Sequence, residues 1–352
     1  MTRLILRSMD LDAFLTDQDM ANIQMMDSLY QNAMEISSRW DNAPESEKNS
    51  LSKELIDSFG AMGEEMHTML RDEKQIHVYS FETPNFIHGE VSRLVAKLRN
   101  IRTQDPEFVY YIQRAYELLF NLAFGGEPES KHHIIVKTPV NIPKPNYAVH
   151  KIPDIDSQTS NAVMCVMLRA ALLPSMIVSK EIQEYSHSGQ ITPFALFRIS
   201  RDDTKEERDM AYVLDLKKSY FDLETLDGKD WFFADPMNAT GGSLVTVVRF
   251  LLDQGIKPRS IKFFNVLSAM KGSLRIVRAV ENAEIYTLWM DPALNSKAYI
   301  LPGVGDAGDR INGKDSLEHP RNIIQLISDY GNRITSLYRS QVRAIEKTVL
   351  GI

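Results

Sequence analysis

Trp231-Phe-Phe-Ala-Asp235-Pro-Met-Asn-Ala-Thr-Gly-Gly-Ser243 runs from an apolar strand into one acid, then into a loop of small residues, then into a helix. The order of these parts fixes what the segment can do. Gly241 and Gly242 let the backbone come close to a ligand and turn several N–H groups inward, and Thr240 and Ser243 add hydroxyls that suit phosphate oxygens. A helix starting near Ser243 brings its positive N-terminal end to the same point, so a phosphate is held mainly by backbone donors. Asp235, at the carboxyl end of its strand, stands where it can accept hydrogen bonds from ribose hydroxyls. The glycine spacing is neither that of a dinucleotide-binding turn nor that of a P-loop.

Downstream, Ala298-Tyr-Ile-Leu-Pro-Gly-Val-Gly-Asp-Ala-Gly-Asp-Arg310 packs Gly303, Gly305 and Gly308 into a short loop that exposes backbone. Two arginine-bearing segments precede the phosphate loop, Met167-Leu-Arg-Ala-Ala171 and Arg201-Asp-Asp-Thr204. A guanidinium fork matches the oxygens of a phosphate and offsets charge on a leaving group. Arg198 is a neighbouring candidate for the role given to Arg201.

Around these segments the hydrophobic pattern predicts strands at 134–137, 162–168, 194–197, 212–216, 231–234, 261–267 and 285–288, alternating with helices. Such alternation implies a mostly parallel sheet. Asp105-Pro106 starts a helix that ends after Phe124 at Gly125-Gly126, and Leu244, Val247, Val248, Leu251 and Leu252 define another that Gly255 closes. Before this domain, Met20, Ile23, Met26, Tyr30 and Met34 recur at helical spacing, as do Leu51, Leu55, Phe59, Met62, Met66 and Met69. The break at 41–44 predicts an antiparallel helical hairpin. A further stripe of Ile323, Ile327, Tyr330, Ile334, Tyr338, Val342, Ile345 and Val349 predicts a C-terminal helix. The expected organisation is a helical extension over 1–85, an α/β domain over 86–318, and a helix over 319–352. The long apolar faces of the end helices need a mate, either each other or a second copy, so a homo-oligomer is expected.

Composition narrows the function classes. The 352 residues include 43% hydrophobic and 25% charged side chains, with a formal charge of −7. This balance offers no broad cationic field for nucleic acid or anionic membrane, and no apolar run approaches the roughly 20 residues of a membrane span. The one cysteine, Cys165, lies in an apolar run and reads as a buried thiol, and no signal-like region opens the chain, so the expected compartment is the cytoplasm. His132 and His133 are adjacent and point oppositely in a strand, so that pair is not expected to hold a metal.

The segment Asp235–Ser243 resembles the PRPP-binding motif of the type I phosphoribosyltransferases, in the form D-P-M-L-A-T-G-G-S of the uracil branch, with Asn238 in place of Leu. The stretch from Tyr299 to Arg310 resembles that branch's uracil-binding segment, with Val304 for Leu, and Asn265-Val-Leu-Ser-Ala-Met-Lys-Gly272 is similar to its L-V-A-A-P-E-G. Asp291 to Asn295 echoes D-x-x-L-N, and the two arginine segments resemble the pyrophosphate loop and a flap over the site. The resemblance covers about 93–314. It implies a three-layer α/β sandwich with a mainly parallel central sheet, to which an α-helical N-terminal extension is added. The reaction it implies is uracil plus PRPP giving UMP and pyrophosphate, as in pyrimidine salvage, with Mg²⁺ carried on PRPP and no metal held by the protein directly. By the same resemblance, PRPP contacts Arg169, Arg201, Asp235, Pro236, Met237, Asn238, Ala239, Thr240, Gly241, Gly242, Ser243 and Asp306. Of these, Asp235 and Arg169 carry catalysis, and uracil contacts Ile300, Gly305, Asp306 and Ala307 through main-chain atoms.

Several positions depart from the pattern. Ala171 stands for Gly, Leu173-Pro-Ser-Met176 replaces L-G-M, and Asn312 and Lys314 replace Phe and Thr around Gly313. They leave open a non-catalytic ligand sensor or scaffold on the same fold, and main-chain recognition leaves open another base.

Overall fold

A computed structural model describes residues 3–82, 85–103, 105–125, 131–202, 204–313 and 339–351. Its strands are β1 (Arg3–Arg7), β2 (Ile76–Val78), β3 (Lys131–Lys137), β4 (Tyr147–Pro153), β5 (Ala162–Leu168), β6 (Phe194–Arg201), β7 (Ala211–Asp215), β8 (Asp230–Ala234), β9 (Met237–Asn238), β10 (Ser260–Ala269), β11 (Ala283–Asp291), β12 (Ala293–Leu294) and β13 (Ile300–Leu301). The helices are α1 (Ser8–Asp12), α2 (Asp17–Asn42), α3 (Glu45–Leu70), α4 (Tyr79–Glu82), α5 (Asn85–Arg99), α6 (Asp105–Phe124), α7 (Asp156–Thr159), α8 (Leu172–Tyr185), α9 (Gly242–Asp253), α10 (Met270–Ala279), α11 (Ala307–Asn312) and α12 (Arg339–Leu350).

The central sheet runs β1-β7-β6-β5-β8-β10-β11-β2, with β9 beside β10. From β6 to β2 all pairings are parallel, whereas β7 and β1 are antiparallel at one edge. Every residue of β5 and β8 is buried, as expected of strands covered on both faces. Helices α5, α6 and α8 pack on one face and α9 and α10 on the other, giving three layers. The strands expected in the domain all form, but 134–137 belongs to a separate hairpin in which, among the described residues, β3 pairs only with β4. Its run Ile134 to Val136 is flanked by Lys and His and is exposed, so the apolar run reveals a strand and not its partner. Strands β1, β2 and β4 and the two-residue strands β9, β12 and β13 are not among those the hydrophobic pattern predicts.

Helices α2 and α3 form the expected antiparallel pair. In α2 the buried face holds Ile23, Met26, Tyr30, Ala33 and Ile36, while Met20 and Met34 are 47% and 46% exposed. Those two methionines lie at one edge of the arc, where a spacing of threes and fours drifts off a fixed face. In α3, Leu51, Met62, Met66 and Leu70 are buried and Phe59 is exposed. Of the C-terminal stripe, Ile345 is buried and Val342 and Val349 pack on the core, while Ile323, Ile327, Tyr330, Ile334 and Tyr338 lie outside the described residues. Cys165 is fully buried in β5, where burial pushes its thiol up.

Two arginines of α10, three residues apart and so on one face, hold the N-terminal segment to the domain. The Arg275 side chain is 0% exposed and donates to Asp12 Oδ1 (Nε, 2.9 Å), Ser8 Oγ (2.9 Å) and Glu207 Oε1 (2.8 Å). Arg278 reaches both oxygens of Asp19, at 2.9 and 3.1 Å, and both of Glu73. Asp19 also accepts from the N–H of Thr16 while Thr16 Oγ1 accepts from Asp19, so one carboxylate closes the start of α2 and ties it to α10. Burial pushes the Asp19 carboxyl up, but hydrogen bonds from Arg278 and Thr16 outweigh it and hold it below the usual carboxylate range. A depressed acid lends stability above its unfolded pKa and loses it as pH falls through the folded value. Arg278→Ala should therefore destabilise by about 3 kcal/mol at neutral pH, with the gap to wild type narrowing in acid, as read by melting temperature against pH.

Candidate active site

A cavity of about 460 Å³ opens at the carboxyl ends of β5, β6 and β8. Arg169, Arg201, Asp235, Met237, Asn238, Ala239, Thr240, Gly241, Gly242, Ser243 and Asp306 all line it, although they come from four separate stretches of chain. Pro236 is buried and instead gives its carbonyl to the Leu267 N–H. Ile300, Gly305 and Ala307 do not line this cavity, though Asp306 and Gly308 of the same loop do.

The phosphate loop takes its shape from backbone packing. Gly241 caps α9 with φ 77°, a left-handed conformation that favours glycine, and the helix then presents its N-terminal end to the cavity. Any side chain on Gly242 would collide with the Tyr212 ring, whose hydroxyl pairs with Thr240 Oγ1. Tyr212, on β7, also lines the cavity and escaped the sequence reading, since a lone tyrosine in a strand carries no signal. Asn238 is only 3% exposed, and its amide donates behind the loop to Ser268 Oγ (3.1 Å) and Ser273 Oγ (3.3 Å). This polar layer accompanies the replacement of Leu in the motif.

The second loop is fixed by charge. Asp291, 1% exposed, takes both Nη groups of Arg99 (2.5 and 3.1 Å) and the Gly303 N–H (3.1 Å), while Arg99 also donates to the Gly303 carbonyl at 3.2 Å. Arg310 donates to the carbonyls of Leu98, Val304, Asn100 and Thr103 and stacks 4.0 Å from the Phe108 ring centroid. Asp306 caps α11 by accepting from the Asp309 N–H at 2.9 Å.

Arg169 is tied to α11 and its end: its Nη2 pairs with Asp309 Oδ1 (3.0 Å) and its Nη1 donates to the Gly313 carbonyl (3.1 Å). Arg201 lies over the Tyr299 ring, 4.8 Å from its centroid, and Arg198 lines the same wall. Ala171 is buried as the residue that opens α8, so the methyl that replaces glycine is packed inward.

Asp235 is partly open to the cavity, yet the protein around it is dense. Lost hydration pushes its carboxyl up to about 7, the Met237 N–H at 3.1 Å opposes this, and the Asp306 carboxylate adds repulsion. Two carboxylates facing one cavity suit a Mg²⁺ ion that keeps its waters and arrives on a diphosphate, which takes one or two protein oxygens. No group of three such donors gathers here among the described residues.

A family model described as uracil phosphoribosyltransferase matches residues 87–313. The uracil phosphoribosyltransferase of Thermococcus gammatolerans is 30% identical over 259 residues, which is 72% of this chain and 100% of that one. That of Campylobacter fetus is 48% identical over 77 residues, 22% of this chain and 36% of its own length. Among solved structures, a protein of Aquifex aeolicus is 22% identical with a TM-score of 0.47, over 68% of this chain and 98% of that one.

The raised carboxyl has a sign that can be checked. An acid with an elevated folded pKa gives stability that is full below its unfolded value and is lost as pH rises through the folded one, here about 7. Asp235→Asn should thus melt above wild type at about pH 8, with the difference closing towards about pH 4.

Proposed function

Since the chain belongs to the uracil phosphoribosyltransferase family, we propose that it joins uracil to the ribose of PRPP in the cytoplasm, as a step of pyrimidine salvage. The carrying observation is that one cavity collects the α9 N-terminus, Asp235, Asp306 and the two arginines Arg169 and Arg201. N1 of uracil forms a bond to C1′ as the C1′–O bond to pyrophosphate breaks; pyrophosphate leaves with the electron pair and N1 loses its proton. Positive charge grows on the ribose ring, so catalysis is chiefly positioning and stabilisation of the leaving group.

In this reading the backbone N–H groups of Thr240 to Ser243 hold the 5′-phosphate and Asp235 accepts from the ribose hydroxyls. Arg169 and Arg201 take the pyrophosphate. Mg²⁺, carried on PRPP, supplies charge neutralisation at the diphosphate. Main-chain groups from Ile300 and from Gly305 to Ala307 read O2, N3–H and O4 of uracil, and cytosine would leave buried groups unpaired at roughly 1–3 kcal/mol each.

The test is conversion of labelled uracil to UMP by purified protein with PRPP and Mg²⁺. Asp235→Ala and Arg169→Ala should each cut turnover sharply with the fold retained, and kcat/KM should rise with pH through about 7 in wild type. 5-Fluorouracil should be accepted, whereas cytosine, hypoxanthine and adenine should not. PRPP binding without product from any pyrimidine would instead identify a sensor.

Self-association belongs to the same proposal. The β3–β4 hairpin exposes Ile135 (72%) and Val149 (62%), which face each other across the register, with Tyr147 (61%) close by, and clustered exposed apolar side chains ordinarily mark an interaction surface. Light scattering should give a mass of at least two chains, and Ile135→Lys with Val149→Lys should lower it.

A further inference from the structure

We propose that the foot of the β3–β4 hairpin binds a divalent transition-metal ion, zinc by its donor set, between His132, Asp154 and His187. The three residues are far apart in sequence: His132 is in β3, Asp154 follows β4, and His187 lies just beyond α8. One ligand atom from each falls within 4.8 Å of the others. His187 Nε2 is 3.7 Å from Asp154 Oδ2, and the rings of His132 and His187 have centroids 3.5 Å apart, tilted by 38°.

Three observations set this cluster apart from a chance meeting of surface side chains. His132 Nδ1 is buried and has no hydrogen-bond partner among the described residues, although an imidazole nitrogen buried in that way ordinarily finds one. Asp154 turns one oxygen to His187, while its other oxygen accepts from the Asp156 N–H at 3.2 Å, which fixes the carboxylate's direction. The Asp156 carboxylate in turn accepts from the backbone N–H of His187 at 3.3 Å. Asp156 thereby fixes the Asp154 carboxylate and the backbone that carries His187.

The donor types choose the ion. Two imidazoles and one carboxylate suit zinc and its neighbours, whereas magnesium and calcium call for oxygen throughout. Donors about 2.0–2.2 Å from a tetrahedral ion sit roughly 3.3 Å from one another, and the His187–Asp154 separation is already near that. His187 and Asp154 keep 47% and 32% side-chain exposure, so an ion can enter and the rings can turn to meet it. His133 faces away on the same strand and is exposed. The sequence expectation about the adjacent pair therefore concerns different geometry: the partners of His132 come from two other segments.

A bound ion would tie a hairpin that, among the described residues, pairs only with itself to the end of α8, and so set the direction in which its apolar residues project. The inference is independent of the proposed reaction. Its test uses the tag-free full chain, stripped with chelator, titrated with Zn²⁺ by calorimetry and with Co²⁺ by visible absorption. One equivalent should bind, Zn²⁺ should raise the melting temperature, and the cobalt spectrum should report imidazole ligation. His132→Ala, His187→Ala and Asp154→Asn should each weaken binding at least about tenfold, with circular dichroism unchanged, while His133→Ala should not. Absence of saturable binding, or affinity that all three ligand variants leave intact, would overturn the site.

Discussion

The constraint on which the site depends is the close approach of α10 to the loop 235–243. A Cβ on Gly272 would run into the carbonyl of Ala239, and one on Gly241 would come within 2.9 Å of both the Gly272 carbonyl and Ile276. The loop can therefore take its ligand-facing shape only because two backbones meet where no side chain stands. Asn238 fills the space behind them with an amide bonded to Ser268 and Ser273, and Ser273 belongs to the same helix. Helix α10 is thus a floor for the loop on one side, and on its other side it carries Arg275 and Arg278 to the N-terminal segment. Removing Arg278 would leave the buried Asp19 carboxylate without its counter-charge, which costs far more than an exposed ion pair returns.

The facing wall is built on a different principle. Arg99, Arg310 and Arg169 each satisfy carbonyl or carboxylate groups of β11, of the 299–310 loop and of α11, so side-chain charge holds the geometry there. In the phosphate loop the order is reversed, with backbone packing holding the shape. Both arrangements spare the ligand-facing groups from having to organise themselves when a ligand arrives, which is the source of electrostatic preorganisation.

What the sequence made legible follows from these two principles. Strands buried on both faces, such as β5 and β8, are largely apolar runs, and the loop at Asp235–Ser243 carries glycines where the backbone approaches its neighbours, so the fold class could be read and a loop that lines the cavity could be picked out. Edge strands were missed for a physical reason: β2 has three residues and β1 mixes arginine with leucine, and each is a strand only because the sheet beside it offers hydrogen bonds. Tyr212, Asp309 and the partners of His132 were equally invisible. Their roles arise from positions that distant segments reach after folding, and no local spacing encodes that.

The charge layout of the cavity gives the parts a common direction. Burial disfavours ionisation of Asp235 and the Asp306 carboxylate adds repulsion, so the acidic side of the cavity favours a proton or a cation. Arg169 and Arg201 line the same space, with Arg169 held by Asp309 and Arg201 over the Tyr299 ring. A ligand with a cation near the acids and phosphate oxygens near the guanidiniums suits both sides together. Because α11 opens directly after Asp306, the Arg169–Asp309 pair joins the arginine-bearing wall of the cavity to the loop that carries Asp306, through a single side chain.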